Sequence, residues 1–128
     1  MINTTIDTNI PPALVQDMES AIKETGSHCL TRSKMLDIGL TVIFSDDNKS
    51  QEMINFAESE YANRNLEGYE RAVFDIKNPD TLKHYRQHTK RDKTYICEYA
   101  LRYVIDKIRG GKFQQLLTQY INCGGVLL

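Results

Sequence analysis

The sequence predicts a mostly helical chain with two short strands, and three observations lead there. Two segments, 2–10 and 71–76, alternate apolar and polar residues as half-buried strands do. Most of the remainder falls into apolar stripes at helical spacing, punctuated by caps and glycines. A block beginning at Thr31 recurs 61 positions on, at Asp92.

Composition bounds the answer. A chain of 128 residues suits one compact unit, or two very small ones that share a core. With 41% apolar residues, four Phe, seven Tyr and no Trp, it suits a small helical unit better than a large enzyme core. Cys29, Cys97 and Cys123 are odd in number and lack a CxxC pair, so neither a disulfide framework nor a zinc site is expected. The start is neither basic nor followed by an apolar run, and no stretch approaches the ~20 apolar residues of a membrane span. The expectation is a cytoplasmic protein without membrane contact. The net charge of −1 is unevenly spread: −3 over 1–50, −3 over 51–68 and +5 from Tyr69 onward. The second half therefore carries more of any attraction for phosphate.

In chain order, Ile2, Ile6 and Ile10 turn one way along the first strand, and Asn3, Thr5, Asp7 and Asn9 the other. Pro12 to Thr25 forms a helix with the stripe Leu14, Val15, Met18, Ala21 and Ile22, ended near Gly26. Thr31 caps the next helix, Arg32 and Ser33 fill its first turn, and Met35, Gly39, Val42 and Ile43 share a face. After the polar break 45–48, Met53, Phe56, Ala57 and Tyr61 mark an acidic amphipathic helix that ends before Asn65 and Gly68. Arg71 to Ile76 is the second alternating segment, and Asn78-Pro79 opens a helix carrying Leu82 and Tyr85. Asp92-Lys93-Thr94-Tyr95 then starts a long helix with Ile96, Ala100, Tyr103 and Val104 on one face. Laying Thr31 on Asp92 places Arg32 on Lys93, Ser33 on Thr94, Met35 on Ile96, Gly39 on Ala100, Leu40 on Leu101 and Ile43 on Val104. Gly110-Gly111 stops that helix, and Phe113, Leu116, Leu117, Tyr120 and Ile121 fit a final short one. Residues 122–125 turn the chain into an apolar tail, Val126-Leu127-Leu128, expected to fold back on the core.

Strand, helix, helix, with a small residue midway along the second helix, resembles the ribbon-helix-helix DNA-binding family, the group of the MetJ and Arc repressors. In that family two chains intertwine and each gives one strand. Two units in one chain can do this internally, so the sequence is similar to tandem members such as the TraY-type accessory proteins of plasmid conjugation. The resemblance implies a fold that is mostly α with a short two-stranded antiparallel ribbon. The units are 1–46 for the first, 47–68 for an acidic helical connector, 69–110 for the second, and 111–128 for a C-terminal helix and tail. A monomer acting as a pseudo-dimer is implied.

The resemblance also implies function: sequence-specific binding of double-stranded DNA, as a transcriptional repressor or as an accessory protein of a conjugative, relaxosome-like complex. Asn3, Thr5 and Asp7, with Arg71, Val73 and Asp75, face the bases, where Asn and Thr meet base edges and Asp accepts from a cytosine amino group. Thr31, Arg32, Ser33, Lys34, Lys93 and Thr94 hold phosphates, because a helix start favours anions. Asp7 and Asp92 depart from this pattern, since phosphate repels them. Lys83, Arg86, Lys90, Arg91 and Lys93, interleaved with Tyr85 and Tyr95, form the densest basic cluster and read as backbone-contacting surface. The rival reading is a protein-interaction module, antitoxin-like or inhibitory, that binds a protein partner through the acidic connector or the apolar tail. No nucleotide loop, nucleophile elbow or HExxH is present, and the acidic residues are not paired for acid and base chemistry. No enzyme and no cofactor is expected. His84 and His88, four apart, would share a helix face, but no third ligand accompanies them, so no metal is expected.

Overall fold

Thr5–Ile10 (β1) and Glu70–Asp75 (β2) pair as an antiparallel ribbon although some 60–70 residues separate partners such as Asp7 and Val73. The computed structural model describes residues 4–27 and 29–126, the side chains of 61–63, 90 and 91 excepted. Ile6 stands opposite Phe74 and Thr8 opposite Ala72, and the Ile76 amide extends the ladder by donating to the Thr4 carbonyl at 2.9 Å. Ile6, Thr8, Ile10, Phe74 and Ile76 are buried on the inner face. Burying an Ile or Phe side chain this fully stabilises the fold by about 1.5–3 kcal/mol relative to leaving it in water. Asn3 and Ile2 lie outside the described residues.

The helices are Pro12–Thr25 (α1), Arg32–Phe44 (α2), Asp47–Asn63 (α3), Pro79–Arg86 (α4), Lys90–Arg109 (α5) and Phe113–Asn122 (α6). The chain is thus mostly helical, a short two-stranded antiparallel sheet followed by helices, compatible with a ribbon-helix-helix-like fold. Pro12 stands at the first turn of α1, and Gly26 ends that helix in the left-handed conformation at φ 66°. The Thr31 hydroxyl caps α2 by accepting from the Lys34 amide at 3.1 Å, and Asn78 caps α4 in the same manner.

The two strand-helix-helix segments interlock. α2 packs on β2 and α4, which follow it in the chain, whereas α5 packs on β1 and α1, which precede it. Where α2 crosses α5 the backbones nearly touch: a Cβ on Gly39 would sit 2.7 Å from the carbonyl oxygen of Ala100. Glycine is therefore required at 39 for the approach itself. α3 lies against α5 and α2, with Met53 and Ala57 buried and the Phe56 ring 5.4 Å from that of Tyr99. α6 lies against α2 and α5 through Leu116 and Tyr120.

Several expectations change. α2 does not bury one face: every residue from Met35 to Ile43 is buried, Asp37 and Thr41 included, because β2 and four helices surround it. α5 starts at Lys90, not Asp92; Thr89 is its cap and its hydroxyl accepts from the Asp92 amide at 3.2 Å. Asp92 falls instead in the first turn, where a carboxylate complements the helix dipole. Tyr85 and Tyr95 are core residues, 5% and 1% exposed, so their rings are not part of the basic surface. α4 ends at Arg86, so His88 lies beyond the helix that carries His84; both rings stack on Phe44, at 5.9 and 5.6 Å. Of the apolar tail, Val126 is anchored by its carbonyl, which accepts from Lys34, but its side chain is 57% exposed and does not enter the core; Leu127 and Leu128 lie outside the described residues. Among the described residues no helix is long and apolar enough to cross a membrane, and no metal-binding group of three or more His, Cys, Asp or Glu forms.

Candidate nucleic-acid interface

The outer face of the ribbon carries Thr5, Asp7 and Asn9 from β1 and Arg71, Val73 and Asp75 from β2, all exposed. Alternation puts them there: their neighbours Ile6, Thr8, Ile10 and Phe74 go into the core. Register sets Thr5 opposite Asp75, Asp7 opposite Val73, and Asn9 opposite Arg71. A two-stranded ribbon of this width fits a major groove. The five residues expected to face bases that lie among the described ones therefore share one surface, with Asn9 as a sixth member.

The face is polar but not basic, and its charges are already paired. Arg71 donates from Nε to both carboxylate oxygens of Asp7, at 3.0 and 3.1 Å, and from Nη2 to Oδ2 at 2.7 Å. Asp75 accepts from the Thr4 hydroxyl at 2.6 Å and has the Lys77 ammonium at 3.8 Å. Val73, 55% exposed, is an apolar point between these two charged ends.

The start of α2 stands beside one end of the ribbon. The Ser33 hydroxyl accepts from the Asp75 amide at 2.9 Å, which pins the helix start to β2. Thr31, Ser33, Lys34, Asp75 and Lys77 consequently line one open cleft. The Lys34 amide goes to the Thr31 hydroxyl and the Met35 amide to the Thr31 carbonyl. The amides of Arg32 and Ser33 have no acceptor among the described residues, so they are the donors this helix start offers an anion.

The side chains proposed for phosphate are placed unequally. Arg32 is exposed and ion-paired with Glu19 on α1. Lys34 is only 14% exposed; its ammonium donates to the Val126 carbonyl at 2.6 Å and to the Tyr120 hydroxyl at 3.4 Å, with Asp37 at 4.0 Å. Lys34 is thus a structural tie between α2 and the C-terminal turn. Lys93 is half-buried, its ammonium 5.4 Å over the Tyr85 ring, and Thr94 is half-buried beside it. The Lys93 amide already bonds the Thr89 carbonyl at 3.0 Å, so the open start of α5 lies earlier, at 90 and 91. Lys83 and Arg86 are exposed on α4.

Sequence reasoning missed three participants. Lys77 is one position past the expected strand and readable from that alone. Thr4 and Glu19 gain roles only through partners distant in sequence. Cys97 adds no chemistry here: it is buried, and burial pushes its thiol up to about 12 despite hydrogen bonds with Tyr85 and Thr8.

Comparison with protein-family models, with curated proteins and with solved structures gives no significant match to this chain.

Proposed function

We propose that the protein binds double-stranded DNA as a tandem ribbon-helix-helix unit, presenting the outer face of the ribbon to a major groove. The observation that carries the reading is the pairing of β1 with β2 from interlocked strand-helix-helix segments, leaving six side chains exposed on one ribbon. A single segment of this kind has no partner for its apolar faces; two in one chain supply each other. The start of α2, with the amides of Arg32 and Ser33, lies beside that ribbon and suits a backbone phosphate. Arg32 at the start of α2 and Lys77 beside Asp75 supply positive charge next to the face, which its own acidic residues do not. Repression, or service to a DNA-processing complex, is the role such binding serves.

Because both strands come from one chain and differ at nearly every outward position, the folded unit is expected to be monomeric and its target asymmetric. Gel-shift against genomic fragments, including the DNA flanking its own gene, tests the reading, with sedimentation for the monomer. Thr5→Ala should reduce discrimination between sites by about 1–3 kcal/mol, if a good base contact is lost. Arg32→Ala should weaken binding to all sequences alike and lower the salt slope. Equal effects of both changes on specific and random DNA would contradict the assignment. Retention of a protein partner with no DNA binding at low salt would favour an interaction module instead.

A further inference from the structure

We infer that Asp7 is a positioning residue for Arg71, and that Arg71 so held recognises one guanine. This rests on the DNA-binding reading and adds to it a base and a division of labour. Asp7 and Arg71 are diagonal neighbours on the outer face, a separation that a long side chain spans. The Asp7 carboxylate takes the side of the guanidinium formed by Nε and Nη2. The end formed by Nη1 and the second hydrogen of Nη2 makes no hydrogen bond among the described residues, and the Arg71 side chain is 73% exposed. Two parallel N–H groups at that end match O6 and N7 of guanine in the major groove.

Fixing a long, flexible arginine sacrifices rotamer freedom, and an arginine already held by a bidentate carboxylate has less left to lose on binding. The same carboxylate is repelled by every phosphate. Asp7 therefore lowers affinity for all DNA while sharpening the choice of base, a combination that a merely structural ion pair does not produce. The far end of the ribbon has no counterpart: Asp75 is held by Thr4 and Lys77, and no arginine lies on that part of the outer face. The guanine is accordingly expected at one end of the target.

The test is selection from a random duplex library by the whole protein, followed by competition binding with variants at the selected site. Arg71→Ala should reduce preference for guanine at one position by about five- to a hundredfold. Asp7→Ala should reduce it by about two- to tenfold while raising affinity for random DNA. Asp7→Asn, which keeps an oxygen acceptor without the charge, should recover part of the preference and keep the raised random affinity. Both positions are exposed, and melting curves establish that the variants fold. Asp7→Ala strengthening binding to all sequences with guanine preference intact would overturn the positioning role. A selected site in which no base depends on Arg71 would overturn the inference and leave DNA binding standing. No enrichment and no binding at about 50 mM salt would remove both.

Discussion

Asp37 and Glu98 occupy matching places on α2 and α5, 61 positions apart, and each is only 1% exposed. What meets them differs. Asp37 accepts from the Tyr120 hydroxyl of α6 at 2.6 Å and from Thr41 at 3.3 Å, with the Lys34 ammonium near. Glu98 is met by Arg64, just past α3, through one oxygen; its Oε1 has no partner among the described residues. The two strand-helix-helix segments thus meet where α2 crosses α5 and differ in what seals the buried acid of each. The first acid sits in a hydroxyl network and the second depends on a single guanidinium, so the second half is more exposed to one substitution.

The largest expected effect tests that dependence. Arg64→Met leaves Glu98 buried without a countercharge and should cost about 3 kcal/mol in denaturant unfolding, the low end for a broken buried pair because Arg64 is itself partly exposed. Adding Glu98→Gln in the same chain should restore most of the loss. Little change in the single variant would show that water serves Glu98 as well as Arg64 does, and the contrast between the halves would fail.

Next comes the crossing, where the halves should be equivalent in place but not in tolerance. Gly39→Ala puts a methyl against the Ala100 carbonyl and should cost about 1–3 kcal/mol through overpacking. Ala100→Gly opens no clash and should cost about 1 kcal/mol, the helix-propensity difference. Thermal melts of the two variants give the comparison; equal losses would mean that the helices can slide apart at no cost.

Tyr120→Phe is milder. It removes one donor to Asp37 while Thr41 and Lys34 remain, for an expected loss of about 1–2 kcal/mol. A loss as large as that from Arg64→Met would erase the proposed difference between a network and a lone partner.

The smallest effect concerns the junctions between first and second helices. α1 meets α5 partly through Asp17, within 3.4 Å of Arg109 and 3.8 Å of Arg102. α4 meets α2 through a Thr41–Thr81 hydroxyl contact at 2.8 Å and through His84 on Phe44, and His88, just past α4, stacks on the same ring. Burial pushes the His88 pKa below its ordinary value of 6.5, with Lys93 and His84 acting in the same direction and Asp92 against. A depressed folded-state value means that stability is whole above pH 6.5 and declines as pH falls toward the depressed value. His88→Gln should flatten that decline in melts below pH 6.5; an unchanged slope would assign it to other groups.

Much of the fold was legible in local spacing. Alternation at Ile6, Ile10, Phe74 and Ile76 located both strands, the stripe from Leu14 to Ile22 gave α1, and Thr31, Gly26 and Asn78 marked ends that the structure places there. Gly39 and Ala100, which the 61-residue offset laid on each other, do lie in contact where α2 crosses α5, but the cap that the same offset put at Asp92 is at Thr89. The start of α5 was not legible, because Thr89 and Asp92 are both good capping residues and only backbone geometry chooses between them. The environment of Lys34 was equally hidden: nothing at position 34 signals a carbonyl 92 residues away.

By itself the sequence determined the periods, the caps and the outward polar set on each strand, because these depend on residues two to four positions apart. Tertiary structure alone decided that Arg71 is held by Asp7, that Ser33 is anchored to the Asp75 amide, and that Asp37 and Glu98 are sealed by different helices. Those contacts join positions 34 to 83 apart, so they follow from strand register and helix crossing, which no local pattern encodes.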